Sequence, residues 1–152
     1  MSRDGNAYDL AMRRVAILLV LAAGVTVAPA GGSVSVVRGF RTPSGNIGCI
    51  YDSSLGSAPY LRCDIRSRLR PLPPRPAHCD LDWGDSYGMR STGRAGITCH
   101  GDTAIDPRYP ALRYGSTWRS GGFACSSQQA GIRCRNRSSH GFFLSKQHSY
   151  RF

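Results

Sequence analysis

Glutamate does not occur anywhere in this chain, and Lys146 is its single lysine. The nine acidic residues are therefore all aspartates, and every other basic residue is an arginine. A bias this strong follows from a GC-rich genome as readily as from function, so the number of arginines alone does not argue for phosphate recognition. Long stretches without Gly or Pro are also missing. Beyond residue 30 none exceeds eleven residues, and apolar positions alternate instead of recurring every three or four, which argues against helices. No two cysteines stand as a Cys-x-x-Cys pair, which argues against a zinc site. No segment after the first thirty residues approaches the length needed to cross a bilayer as a helix.

The chain does hold an uncharged apolar run from Val15 to Ala30, directly behind Arg13 and Arg14. It closes on Ala28-Pro29-Ala30, small residues at the −3 and −1 positions, so it reads as a secretory signal cut before Gly31. A retained membrane anchor is the alternative, but a span needs about 20 apolar residues, and this run is shorter and carries Gly24 and Pro29. Asp4 and Asp9 are out of place in a signal's basic end, whereas a start at Met12 would read Met-Arg-Arg. No Cys lies near the cut, so the expected product is soluble and not a lipoprotein. The expected organisation is a leader over 1–30, an N-terminal extension over 31–39 and a single exported β domain over 40–152.

The leader takes three of the 20 basic and two of the 9 acidic residues with it, leaving a charge of about +10. A field of that size keeps a protein soluble and also favours contact with polyanions. A basic, proline-dense strip from Arg66 to Pro76 is expected to be extended and polyproline-like. It reads as a stiff connection, or as a polyanion strip contacting through Arg66, Arg68, Arg70 and Arg75.

Six cysteines behind a signal imply a disulfide framework. Five have an apolar residue two positions earlier, at Ile47, Leu61, Ile97, Phe123 and Ile132, which on a strand shares a face with the sulfur. Turn-rich segments join Cys49 to Cys63 and Cys125 to Cys134, suggesting two hairpins with a Cys on either arm. Sequential pairing is expected: Cys49–Cys63, Cys79–Cys99 and Cys125–Cys134. The fold class is all-β, a small disulfide-stapled sandwich or partly open barrel of short hairpins. Expected strands are 34–37, 47–51, 60–65, 96–100, 111–114, 122–126, 131–135 and 142–145. The two Cys hairpins resemble each other, as an internal duplication or shared constraints would produce.

From Phe40 onward the landmarks resemble an uncharacterised family of small secreted proteins found mainly in actinobacteria. The resemblance rests on Phe40-Arg41-Thr42-Pro43-Ser44-Gly45-Asn46-Ile47-Gly48-Cys49, then Arg62-Cys63-Asp64, Cys79 with Trp83-Gly84, and Gly101-Asp102. It continues through Leu112-Arg113-Tyr114-Gly115, Phe123-x-Cys125, Gly131-Ile132-x-Cys134-x-Asn136 and His140-Gly141-Phe142-Phe143-Leu144-Ser145. It implies export and the six-cysteine plan, and brings no activity and no catalytic residue.

Candidate chemistry is sparse. His100, Asp102 and His140 could serve general acid/base work in a nuclease-like hydrolase, against the plainer reading of a strand end and a packed histidine. Asp80, Asp82 and Asp85 could hold a hard cation or form a turn. Trp83, Tyr87, Tyr114, Trp118 and Phe123 could form an aromatic surface among arginines or the core. Asn136-Arg137-Ser138 fits the glycosylation acceptor pattern. No cofactor is expected. The leading expectation is a non-enzymatic envelope or extracellular binding or structural module with an acidic cell-envelope polymer or other polyanion as partner; a small hydrolase and an inhibitor or toxin are the alternatives.

Overall fold

The computed structural model describes residues 37–54 and 58–152. The expected leader, its cut and most of the expected strand 34–37 lie outside the described residues. Among these residues there is no helix, and hence none long and apolar enough to cross a membrane. Five strands, β1 (Val37–Arg41), β2 (Ile47–Asp52), β3 (Tyr60–Ile65), β4 (Ser86–Arg90) and β5 (Gly96–Ile97), form one antiparallel sheet in chain order. Five more, β6 (Thr117–Ser120), β7 (Phe123–Gln128), β8 (Gly131–Arg135), β9 (Gly141–Leu144) and β10 (Tyr150–Arg151), repeat that meander in a second sheet. The architecture is an all-β sandwich.

Strand register puts the same pattern across both sheets. Phe40, Cys49, Cys63 and Tyr87 align across β1 to β4. Trp118, Cys125, Cys134 and Phe142 align across β6 to β9. Directly opposed cysteines are joined, Cys49 to Cys63 and Cys125 to Cys134, each pair with Cα atoms 4.0 Å apart. The rows face one another. Phe40 and Trp118 have ring centroids 4.9 Å apart, Tyr87 and Phe142 5.6 Å, and the Cys63 and Cys134 sulfurs 4.0 Å. Around this band Leu61, Ile65, Met89, Ile132 and Leu144 are buried. Each such side chain contributes about 1.5–3 kcal/mol by leaving water. The third disulfide, Cys79–Cys99, ties two loops.

Several elements differ from the expectation. Ser86–Arg90 is a strand although Gly88 interrupts its apolar pattern. A Cβ at 88 would collide with the Tyr60 hydroxyl and Thr98 Oγ1, which bond to each other at 3.0 Å. The segment 111–114 is not a strand: Ala111 makes one isolated bridge to Arg41, and pairing starts at Thr117. The strand expected over 96–100 stops at Ile97, and His100 instead bridges to Asp82. β1 begins at Val37, inside the segment assigned to an extension. The turn between β6 and β7 is Gly121-Gly122, both at positive φ (55° and 93°), the pair that a tight two-residue hairpin requires.

Candidate functional site

On β6 to β8 the inward positions are taken by Trp118, Phe123, Cys125, Ile132 and Cys134. Strand alternation therefore sends Thr117, Arg119, Ala124, Ser126, Arg133 and Arg135 outward. Arg119 pairs across to Ala124 and Ala124 to Arg135, so two arginines flank one small residue. Neighbouring strands run about 4.8 Å apart, which puts the two Cα atoms on the order of 10 Å apart. The next row is Thr117, Ser126 and Arg133. A groove of 190 Å³ runs over these six residues. It meets a second of 410 Å³ around the glycine turn, which adds Arg137. Arg137 lies across Gly122, where a Cβ would strike its side chain.

The electrostatics of this face are one-sided. Asp106 is the last acidic residue of the chain, and eight basic residues follow it. Among the described residues, the guanidinium groups of Arg119, Arg135 and Arg137 make no hydrogen bond and no ion pair. Arg133 is anchored, donating to the Tyr150 hydroxyl at 3.2 Å and lying 3.7 Å over the Phe152 ring. Phe143, His148 and Tyr150 extend an aromatic border beside it. Sequence reading missed this face, although the acid-free tail and Arg133-x-Arg135 were both visible.

The proline strip is docked on its own chain. Arg66 donates to the Gly45 carbonyl, Arg68 to that of Trp83, and Arg75 to those of Cys79 and Leu81. Trp83 Nε1 in turn donates to the Pro73 and Pro74 carbonyls, at 3.3 and 3.1 Å, and Leu69 is buried in the core. Arg70 is exposed, while its carbonyl accepts from the Ser149 N–H. Through these contacts the strip is held against its own chain.

His100 is buried, and both ring nitrogens face acceptors of the chain: Nδ1 the Asp102 carbonyl, Nε2 the Asp85 carboxylate at 3.0 Å. Both ring nitrogens are thus held by groups of the chain itself. The Asp102 carboxylate takes an N–H of Arg62 at 3.0 Å, a bond that holds its pKa below the ordinary carboxylate value. Arg62 also pairs with buried Asp64, 3.1 Å away. His140 lies elsewhere, in a cleft between the sheets lined by Tyr87, Arg94, Ala95, Tyr150, Arg151 and Phe152. His100 does not share that cleft.

Asp80, Asp82 and Asp85 do not converge. Among the described residues, the one group of three close metal-type ligands is Cys49, Cys63 and Cys134, all held in disulfides. Of the five aromatics considered for a surface, Tyr87 and Phe123 are core, Trp118 packs against it, and Tyr114 is exposed. Asn136 is buried, and its amide donates to the Arg90 and Gly93 carbonyls at 3.0 and 2.7 Å, a tether between the sheets that leaves no glycan acceptor.

No curated protein and no solved structure matches the chain. The model of a family of unknown function, DUF6636, matches residues 14–152, and the chain belongs to that family.

Proposed function

We propose that the protein is an exported, non-enzymatic binding module that takes an acidic cell-envelope polymer on the outer face of its second sheet. The observation that carries this reading is the set of outward guanidiniums of Arg119, Arg135 and Arg137, unpaired among the described residues, on a stretch of chain without an acidic side chain. Unpaired cations at this spacing meet a repeating anion without first breaking an internal bond, unlike the engaged arginines of the proline strip. The grooves between the arginine rows are floored by Ala124, Thr117 and Ser126. They offer hydroxyls and small surfaces, while the exposed ring of Tyr150 stands at the border beside Arg133 and not between the arginine rows, which favours a charged polysaccharide or polyol phosphate over single-stranded nucleic acid. Three disulfides fit an oxidising compartment.

Sedimentation of the purified protein with envelope at low and high salt tests it. Binding is expected at low salt, is expected to weaken steeply as salt rises, and is expected to fall at least tenfold in the triple variant Arg119→Ser, Arg135→Ser, Arg137→Ser. Absent or salt-indifferent binding would overturn the polyanion reading, and an unchanged triple variant beside a crippled Arg66→Ser, Arg70→Ser protein would return the site to the strip. Single-stranded DNA competing better than the envelope polymer would reassign the partner.

A further inference from the structure

The cleft holding His140 lies where the two sheets meet, and none of its arginines belongs to the outer face. Tyr87 on β4 and Arg94 and Ala95 just before β5 form one wall; His140, β10 and Phe152 form the other. Its volume is 460 Å³, inside the range of about 300–1,000 Å³ typical of small-ligand sites.

The lining is built of donors. Arg94 is exposed, with no hydrogen bond or ion pair among the described residues. Arg151 gives one N–H to the Ala95 carbonyl across the cleft at 3.4 Å, which steadies the guanidinium and leaves its other donors available. The Tyr150 hydroxyl accepts from Arg133, so its own proton remains to be donated. No carboxylate side chain lines the cleft, and the main-chain oxygen of Phe152 is taken up by the Gly141 N–H at 2.8 Å. An anion is thus the complementary group, and paired guanidiniums suit the oxygens of a carboxylate or phosphate.

The walls also fix the size of what carries that anion. Tyr87 is seated by its ring against Phe142, 5.6 Å between centroids. Phe152 is held by two backbone bonds to Gly141, at 2.8 and 3.0 Å. With Ala95 and Tyr150 these residues give the cleft fixed edges beside the donors, and a lone phosphate would leave most of the volume unfilled. We infer that this cleft binds a monosaccharide-sized acid, its carboxylate or phosphate on Arg94 and Arg151 and its ring against Tyr87, Tyr150 and Phe152.

The test is amide NMR titration of the full chain with glucuronate, glucose 6-phosphate, inorganic phosphate and glucose. Glucuronate or glucose 6-phosphate is expected to shift the amides of Arg94, Ala95, His140 and Arg151 with millimolar affinity, and the tighter of the two identifies the acid. In Arg94→Gln, an exposed position whose melting temperature should not move, affinity is expected to fall about tenfold, or 1.4 kcal/mol. The outer-face triple variant should titrate as the parent does, so this site and the polymer site stand or fall separately. Silence toward both charged sugars, an equal response to glucose, or inorganic phosphate matching the charged sugars would each overturn the inference.

Discussion

The Sγ of Cys63 lies 4.0 Å from the Sγ of Cys134, although the two belong to different disulfides in different sheets. Neither sulfur carries a proton, so the contact is van der Waals, and the two covalent staples pack on one another at the centre of the sandwich. Flanking aromatics close the band on both sides, Phe40 against Trp118 and Tyr87 against Phe142. A glycine-rich domain thereby places two of its three disulfides at the centre of its buried core.

That placement sets an order of reduction. All four sulfur residues of the band are fully buried, whereas Cys99 is only half-buried, and exchange requires a thiolate to reach a sulfur. Mild reductant followed by alkylation and peptide mass mapping should label Cys79 and Cys99 first. Earlier labelling of Cys125 or Cys134 would contradict the stacked arrangement.

Gly88 is required by Tyr60. In Gly88→Ala the new methyl meets the Tyr60 hydroxyl and Thr98, and overpacking of this kind costs about 1–3 kcal/mol. Tyr60→Phe should recover part of that loss in the double variant, read as the urea midpoint. Independent, additive effects would show that the clash is not the cause.

Asn136 joins the hairpin after β8 to the last residue of β4 and the turn beyond it through the Arg90 and Gly93 carbonyls, and its Oδ1 accepts the Ser138 N–H at 3.0 Å. Asn136→Ala strands these groups and should cost about 1–3 kcal/mol. Amide hydrogen exchange should rise at Gly93 and Ser138 and not at the remote β2–β3 pairing. Uniform protection would deny the tether.

Burial pushes the Asp64 carboxyl above its ordinary value, outweighing the Ala104 N–H and the Arg62 charge that lower it. The folded state therefore holds the Asp64 proton to higher pH than the unfolded chain does. Its contribution to stability is present below the ordinary carboxylate value of about 4 and is lost as pH rises through the raised one. The melting temperature of the parent minus that of Asp64→Asn should accordingly fall as pH is raised from about 4. A difference that grows with pH would mean that Arg62 dominates instead. Asp102, held low by Arg62, contributes with the opposite sign and is present in both proteins.

Part of this architecture is legible in short windows. Ile47-x-Cys49, Leu61-x-Cys63, Phe123-x-Cys125 and Ile132-x-Cys134 carry the period-two pattern, and β2, β3, β7 and β8 run through them. β4 escapes such a window because the residue that lets it pair, Gly88, looks like a break until Tyr60 is placed above it. Leu112 and Tyr114 alternate as a strand would, yet Ala111 finds only Arg41 as a partner, and the sheet edge goes to Thr117–Ser120.

The division between sequence and tertiary structure follows from range. Alternation, turn residues and the partition of charge are local properties, so the amino-acid order alone determined the β class, the inward-facing cysteines and an acid-free tail after Asp106. Which arginine is engaged and which is free depends on what distant segments bring beside it. Arg68 meets the Trp83 carbonyl, while Arg119 and Arg135 flank Ala124 and their guanidiniums meet no partner among the described residues. The stacking of Cys63 on Cys134 is likewise a product of two registers and one sheet-to-sheet packing, each fixed by contacts spanning the whole domain.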